Sequence, residues 1–280
     1  MEQWPSFSKW LKAFKVDASR ADVSDAAIGA LRGVALDRSV ISRDRAKGVF
    51  AQDFLTFSNR MVSAYRLKHG RAHLERKREL FARIEADFGV PGAVITAFWA
   101  LETDFGANNG NFPTLTALAS LAWDCRRPEL FRPQLIDALR LIDEGDLSPD
   151  EMLGAHVGEL GQVQFLPSDY RRSAVDYDGD GRRDLIDSVP DALASAASLL
   201  RDFGWHRGEP WLEEVRVPKT LEWQKADVYQ TQPWSYWRDA GVWRVSKDAE
   251  PAASTPVALL LPAGRHGPAF IAYRNFAIYL

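Results

Sequence analysis

Apolar residues recur at helical spacing over the first two-thirds of the chain. Phe7, Trp10, Leu11 and Phe14 fall at i, i+3, i+4 and i+7, a stripe that predicts a first amphipathic helix. Ser24 is placed to cap a second one running through Ile28 and Leu31. The charged stretch HLERKRELFARIEADFG predicts a helix closed by Gly89, and Pro91 sits where a first-turn proline opens the next. Pro113 opens TLTALASLAWD, and PELFRPQLIDALRLIDEGD carries Leu135, Ile136, Leu139 and Ile142 at helical spacing. Ser148 to Glu151, read as SPDE, fits a capping box with proline at the first helical position and predicts a further helix start. SVPDALASAASLLRDFGW predicts another helix, with Ser188 and Asp191 at box spacing and Gly204 past its end.

Beyond Trp211 the pattern changes. LEEVRVP, VALLLP and AFIAYRNFAIYL are short and rich in apolar, β-branched or aromatic residues, as strands are, and SKDAEPAASTP reads as a loop. No internal repeat is visible. The fold class expected is mainly α (α+β), in one unit: a helical N-terminal lobe over 1–89, a core over 90–211 and a small strand-containing part over 212–280.

Composition narrows the function classes. A net charge of -3 and a pI near 6.0 leave no footprint for nucleic acid or an anionic membrane surface. No run of apolar residues is long enough to span a membrane. The first residues, with Glu2, Lys9, Lys12 and Lys15, hold no signal-peptide core, so an exported native protein would have had its signal left off this chain. Cys125 is the only cysteine, which excludes an internal disulfide and a cysteine-based metal site. His69 and His73 stand at i, i+4 without a third ligand nearby, so zinc is not expected.

DYDGDGRRDLID has the register of an EF-hand loop. Oxygen donors fall at position 1 (Asp176), 3 (Asp178), 5 (Asp180), 9 (Asp184) and 12 (Asp187), with the Arg182 carbonyl at 7 and Gly181 at the sharp turn. Asp187 replaces the usual glutamate, and its shorter side chain makes bidentate reach harder. A single loop suits a structural clip better than a sensor. The ion expected is calcium, or sodium, and no organic cofactor is called for.

In PGAVITAFWALETDFG, residues Ile95, Phe98 and Glu102 share a helix face, so a carboxyl follows two large apolar side chains. Desolvation there disfavours the charged form and raises the pKa, which suits a general acid. A surface glutamate at a fraying helix end is the alternative from spacing alone.

The run FWALETDFGANNGNFPTLTALASLAWDCRRPELF, followed by GAHVGELGQVQFLPSDYRRSAVDYDGDGRRDLIDSVPDALASAASLLRDFGWHRGEPW and LLLPAGRHGPAFIAYRNF, resembles the membrane-bound lytic murein transglycosylase B family over nearly the whole chain. The resemblance implies a lysozyme-like helical core, a periplasmic or cell-envelope location, and peptidoglycan glycan strands as partner, with other cell-wall enzymes as further partners. It implies that Glu102 is the single catalytic acid, that Gln164 is the motif glutamine, and that Asp176 to Asp187 is the calcium loop. Glu102 would protonate the bond oxygen between N-acetylmuramic acid and N-acetylglucosamine, then take the proton of the muramyl 6-hydroxyl as it closes to a 1,6-anhydro ring. Gln162, Gln164, Phe165, Tyr170, Ala155 and His156 are the candidate sugar contacts. Relatives continue past the segment ending at Leu280 with a tyrosine-asparagine stretch, which leads to an expectation of a folded chain with weakened glycan binding.

Ala155 and His156 stand where the family has serine and an aromatic residue, and Glu159 where a small residue is usual. These departures put one substrate hydrogen bond in question and add an acid near the cleft. Two other functions stay open: a muramidase that hydrolyses with water held by Glu159 or Asp104, and a non-catalytic peptidoglycan-binding scaffold.

Overall fold

The structure is a computed structural model that describes residues 6–46 and 52–279; Leu280 lies outside them. Helices α1 (Phe7–Arg20), α2 (Asp25–Gly29) and α3 (Arg38–Asp44) come first, then α4 (Phe54–Met61), α5 (Ala64–Arg76), α6 (Arg78–Phe88) and α7 (Gly92–Thr103). The stripe of α1 is buried through Trp10, Leu11, Phe14 and Ala18, while Phe7 packs at its edge. Ser24 accepts from the Ala27 amide, the expected cap of α2, and Gly89 ends α6 in the left-handed conformation.

A two-residue strand β1 (Phe112–Pro113) precedes α8 (Thr114–Trp123) and α9 (Pro128–Asp143), and pairs antiparallel with β2 (Leu153–Gly154). Helices α10 (Pro167–Ser173) and α11 (Val189–Asp202) complete the helical body. One hydrophobic cluster runs from Trp10 through Ile95, Leu118, Leu135, Phe165 and Leu193 to Trp205, so the N-terminal helices and the core behind them share one interior.

The second cluster belongs to a five-stranded antiparallel sheet. Its strands are β3 (Leu212–Arg216), β4 (Gln232–Pro233), β5 (Trp243–Arg244), β6 (Pro256–Leu260) and β7 (Ala269–Ala272), in the order β4-β6-β7-β3-β5. Helix α12 (Trp234–Asp239) buries Trp234 and Trp237 against it. A last helix, α13 (Arg274–Tyr279), returns the chain to the helical body, where Ile278 and Tyr279 pack on the first cluster.

Two expectations need correction. Ser148 to Glu151 is a turn and not a helix start: the Ser148 amide does donate to the Glu151 carboxylate over 2.7 Å, but Glu151 is also drawn out to Arg182 at 2.8 Å and the chain enters β2. The apolar run AFIAYRNFAIYL is only half strand. It breaks at Tyr273 and continues as α13, because Asn275 is buried and bonded to the segment after α11 rather than to a neighbouring strand.

Candidate active site and cation loop

Glu102 occupies the last turn of α7, with an exposed side chain. One turn before it, Phe98 is half-buried and meets the ring of Tyr279 edge-on at 6.3 Å. Ile95, a further turn back, is fully buried in the core. The carboxyl forms no ion pair among the described residues, and its pKa is raised by desolvation. Glu102 thus keeps its proton to higher pH than an ordinary glutamate, as a general acid requires.

The backbone beyond α7 is bent in an unusual way. Asp104 and Phe105 have φ of 51° and 66°, and Gly106 follows at 84°. Two consecutive non-glycine residues in the left-handed region are strained, and such strain persists only where the surroundings over-determine it. Here Arg66 of α5 grips the Asp104 carboxylate at 2.6 Å. The Phe105 ring sits against His73 at 4.9 Å and Trp99 at 5.4 Å. His73 is therefore an aromatic packing partner, and His69 packs on Tyr65 at 4.2 Å.

The segment Leu153–Phe165 folds back over this end of α7. Leu160 bridges Gly154 on one side and Phe165 on the other, and the Ala155 amide donates to the Glu159 carbonyl over 3.0 Å. A side chain at Gly154 would collide with that carbonyl oxygen. Thr103 and Trp99 staple the hairpin to α7: the Thr103 hydroxyl donates to the Gln162 carbonyl at 2.6 Å, and the Trp99 indole to the Gln162 side-chain oxygen at 3.0 Å. Neither staple was singled out from the sequence, where both residues read as ordinary helix.

Of the expected sugar contacts, three are core residues. Gln162 is buried, its amide nitrogen donating to the Ile186 carbonyl at 3.0 Å. Phe165 is 2% exposed and Tyr170 0%, with the Tyr170 hydroxyl donating to the Arg183 carbonyl at 2.5 Å and accepting from the Leu185 amide. A side chain whose polar atoms are spent internally and whose ring has no solvent face offers nothing to a sugar, so these three hold the hairpin in place. Gln164 is half-buried with φ 49°, and its amide nitrogen bridges the Asn109 and Gly161 carbonyls, which fixes the strained backbone and leaves its oxygen uncommitted. Ala155 and His156 are half-buried on the same hairpin, with His156 edge-on to Phe112 at 6.2 Å. Glu159 is also half-buried there. Burial first, and then the charge of Glu102, push its pKa up to about 7.

In the acidic loop, Asp176, Asp178 and Asp191 bring one carboxylate oxygen each within 4.8 Å of one another. Asp191, on the first turn of α11, is fully buried and accepts from the amides of Tyr177 at 2.7 Å, Asp184 at 2.9 Å and Asp178 at 3.2 Å. Asp176 accepts from Gly179 and Gly181, and Asp178 from the Ser188 hydroxyl. Asp180 accepts from the Arg182 amide, while Asp184 accepts from the amides of Ile186 and Asp187, so Asp184 and Asp187 form the closing turn rather than the carboxylate group. Arg182 and Arg183 point away, to Glu151 and to Glu144 and Asp146. Three carboxylates converging without a cationic side chain repel one another, and an all-oxygen donor set of this kind fits a hard cation such as calcium. Asp191 carried a signal in the sequence, but its spacing from Ser188 reads as a helix cap.

Known proteins share this fold. The transglycosylase SLT domain matches residues 6–280. Membrane-bound lytic murein transglycosylase B of Escherichia coli is 30% identical over 157 residues, 56% of this chain; the match spans 43% of that protein's length. Crystal structures of Pseudomonas aeruginosa SltB3, one of them in complex with NAG-anhNAM-pentapeptide, superpose with a TM-score of 0.91 at 34% identity, over 98% of this chain and 74% of that one. The E. coli lytic transglycosylase Slt35, solved in complex with calcium, shares the fold with a TM-score of 0.83 at 23% identity, over 96% of this chain and 85% of that one. From its first described helix to its C-terminal residue, the chain belongs to the transglycosylase SLT domain family, in the lytic murein transglycosylase B type of lysozyme-like fold.

Proposed function

We propose that this protein is a peptidoglycan lytic transglycosylase that cleaves the bond between N-acetylmuramic acid and N-acetylglucosamine and leaves 1,6-anhydromuramic ends. The observation that carries the reading is Glu102: a carboxyl with a raised pKa and no ion pair among the described residues, at the end of α7 beside the hairpin that matches the family motif. The likeness to SltB3, crystallised with a NAG-anhNAM-pentapeptide, supports the substrate class.

In the first half of the reaction Glu102 gives its proton to the glycosidic oxygen as the bond to C1 breaks. In the second half the carboxylate accepts the proton of the 6-hydroxyl as O6 bonds to C1. No water is consumed. Asp104 is not free to activate water, since Arg66 and the Asn108 amide hold its carboxylate. Ala155, His156 and the side-chain oxygen of Gln164, which accepts no hydrogen bond among the described residues, are the residues offered to the sugar.

The cation would be held by Asp176, Asp178 and Asp191 in an EF-hand-like loop. Its contribution is to hold the loop to α11, and the chemistry at Glu102 does not pass through it. The substrate places the working protein in the cell envelope.

Digestion of purified sacculi, with the products weighed, tests the reading. Anhydro ends, lighter by one water than reducing ends, are expected. Glu102→Gln should lower the rate by at least ~10²-fold. Mostly reducing ends would instead make the protein a muramidase, and no digestion at all a binding scaffold.

A further inference from the structure

Gln162 is buried, and each of its four polar atoms has a partner. The partners divide by side. Both nitrogens donate into the acidic loop: the main-chain amide to the Leu185 carbonyl at 2.8 Å and the side-chain amide to the Ile186 carbonyl at 3.0 Å. Both oxygens accept from α7: the main-chain carbonyl from the Thr103 hydroxyl at 2.6 Å and the side-chain carbonyl from the Trp99 indole at 3.0 Å. Only an amide side chain serves both sides, since a carboxylate could not donate to Ile186 and an apolar chain could neither donate nor accept.

The loop end of this bridge is tied to the cation ligands. Asp191 accepts from the Asp184 amide at 2.9 Å, and the Asp184 carboxylate holds the amides of Ile186 at 2.8 Å and Asp187 at 2.9 Å. Leu185 and Ile186 stand inside that turn. The other end is tied to the acid: Trp99 and Thr103 are one turn apart on α7, and Glu102 is the residue before Thr103. No slack lies between the two ends. A Cβ on Gly161 would come within 2.5 Å of the Leu185 carbonyl oxygen, and one on Gly106 within 2.6 Å of the Gln162 side-chain oxygen. A buried polar network with every member paired is rigid, because loosening one member strands its partner without water.

The geometry points to Gln162 as a positioning residue for Glu102, one that couples the acidic loop to the acid. Ordering of the 184–187 turn by a cation is thereby felt in the last turn of α7, and turnover rises with it although no bond change involves the ion. This rests on the readings of Glu102 as the acid and of Asp176, Asp178 and Asp191 as the cation site. The path between the two sites is contiguous, as coupling through a packed interior requires. It crosses three hydrogen bonds: the Asp184 amide to the Asp191 carboxylate, the Gln162 amide to the Leu185 carbonyl, and the Thr103 hydroxyl to the Gln162 carbonyl.

The probe is calcium, and the readout is the carbon NMR signal of the Glu102 carboxyl, assigned by its absence from Glu102→Gln. Adding calcium to the unmodified chain should move that signal. In Gln162→Met, which keeps the bulk and loses both side-chain bonds, the movement should be clearly smaller. Trp99→Phe removes only the indole bond and should respond in between, so the test survives a Gln162→Met that fails to fold. Kinetics on soluble peptidoglycan strands, at a temperature where circular dichroism shows each variant folded, supply a second reading. Positioning predicts a kcat lower by ~10-fold or more in Gln162→Met with KM within ~2-fold, since a misplaced reacting group costs turnover and not affinity. A Glu102 signal that calcium leaves unmoved in the unmodified chain, or moves equally in Gln162→Met, overturns the coupling. A raised KM at unchanged kcat overturns the positioning role and makes Gln162 a sugar contact. The underlying readings fail separately: an active Glu102→Gln enzyme sinks the acid, and a melting temperature indifferent to calcium sinks the cation site.

Discussion

Thr103 and Gln162, 59 residues apart, are joined by a 2.6 Å hydrogen bond from a buried hydroxyl to a backbone carbonyl. The same hydroxyl accepts from the Gly106 amide at 2.9 Å, so a single oxygen ties the end of α7, the strained turn after it and the hairpin above it. Glu102 is the neighbouring residue in the chain. Its position is therefore set by a group that has no chemistry of its own.

Thr103→Val keeps the shape of the side chain and removes this oxygen. The Gln162 carbonyl and the Gly106 amide both lose a buried partner, which should cost on the order of 1–3 kcal/mol. Urea denaturation checks the stability, and the sacculus digestion rate should fall with it, because the turn beside Glu102 loosens. A variant of unchanged stability would show that the bond is replaceable.

Calcium should raise the melting temperature, since an ion that binds only the folded chain stabilises it by mass action. Asp178→Ala and Asp191→Asn should each abolish the rise, while Asp187→Ala should keep it. Thermal scans with calcium and with chelator distinguish the cases. A rise lost in Asp187→Ala but kept in Asp191→Asn would return the last ligand to the EF-hand register.

Glu159 also leaves a mark on stability against pH. Its carboxyl titrates at about 7 in the folded chain against an ordinary 4.5. The protonated form therefore favours folding: the contribution is fully present below about pH 4.5 and is lost as pH rises through 7. Between those limits it amounts to on the order of 2–3 kcal/mol. Glu159→Gln should remove this slope, so the difference in unfolding free energy between variant and unmodified chain should grow from pH 4.5 to 7.5, in favour of the variant. Denaturant titrations at both pH values measure it; a constant difference would mean that Glu159 ionises as if in water.

Gly154→Ala should be poorly tolerated. The added methyl meets the Glu159 carbonyl, which is held by the Ala155 amide and cannot withdraw without opening the hairpin. Overpacking of this kind typically costs ~1–3 kcal/mol. Circular dichroism melts should show the loss, and a melt equal to that of the unmodified chain would show that the hairpin can shift.

Helix periodicity made most of the helical body legible, because faces such as Trp10–Leu11–Phe14 bury against a core that runs the length of the domain. Glu102 was legible by its place after Phe98, and more firmly by the motif around it. What the sequence concealed were partnerships made across the fold. Asp191 looks like a cap until α11 brings it under the loop, where it serves three amides. Phe165 and Tyr170 look like sugar platforms because an aromatic residue in a motif says nothing about which way its ring faces. The run AFIAYRNFAIYL reads as one strand, since a buried asparagine bonded to distant backbone leaves no periodic trace.

Asn275 accepts from the His206 amide at 2.7 Å and donates to the carbonyls of His206 and Glu209 at 2.9 Å and 2.8 Å. Those contacts place the point where the chain leaves the helical body beside the point where it comes back. Everything between them, the five-stranded sheet with its own hydrophobic cluster, is a closed excursion whose ends are clasped by one amide side chain. Lengthening such a loop costs little, because closure entropy grows only slowly with the number of residues enclosed. The sheet is thus the part of this architecture most open to drift in length and surface, and it can be enlarged, trimmed or rewritten over time while Tyr279 stays on Phe98 and the neighbourhood of Glu102 is left as it stands.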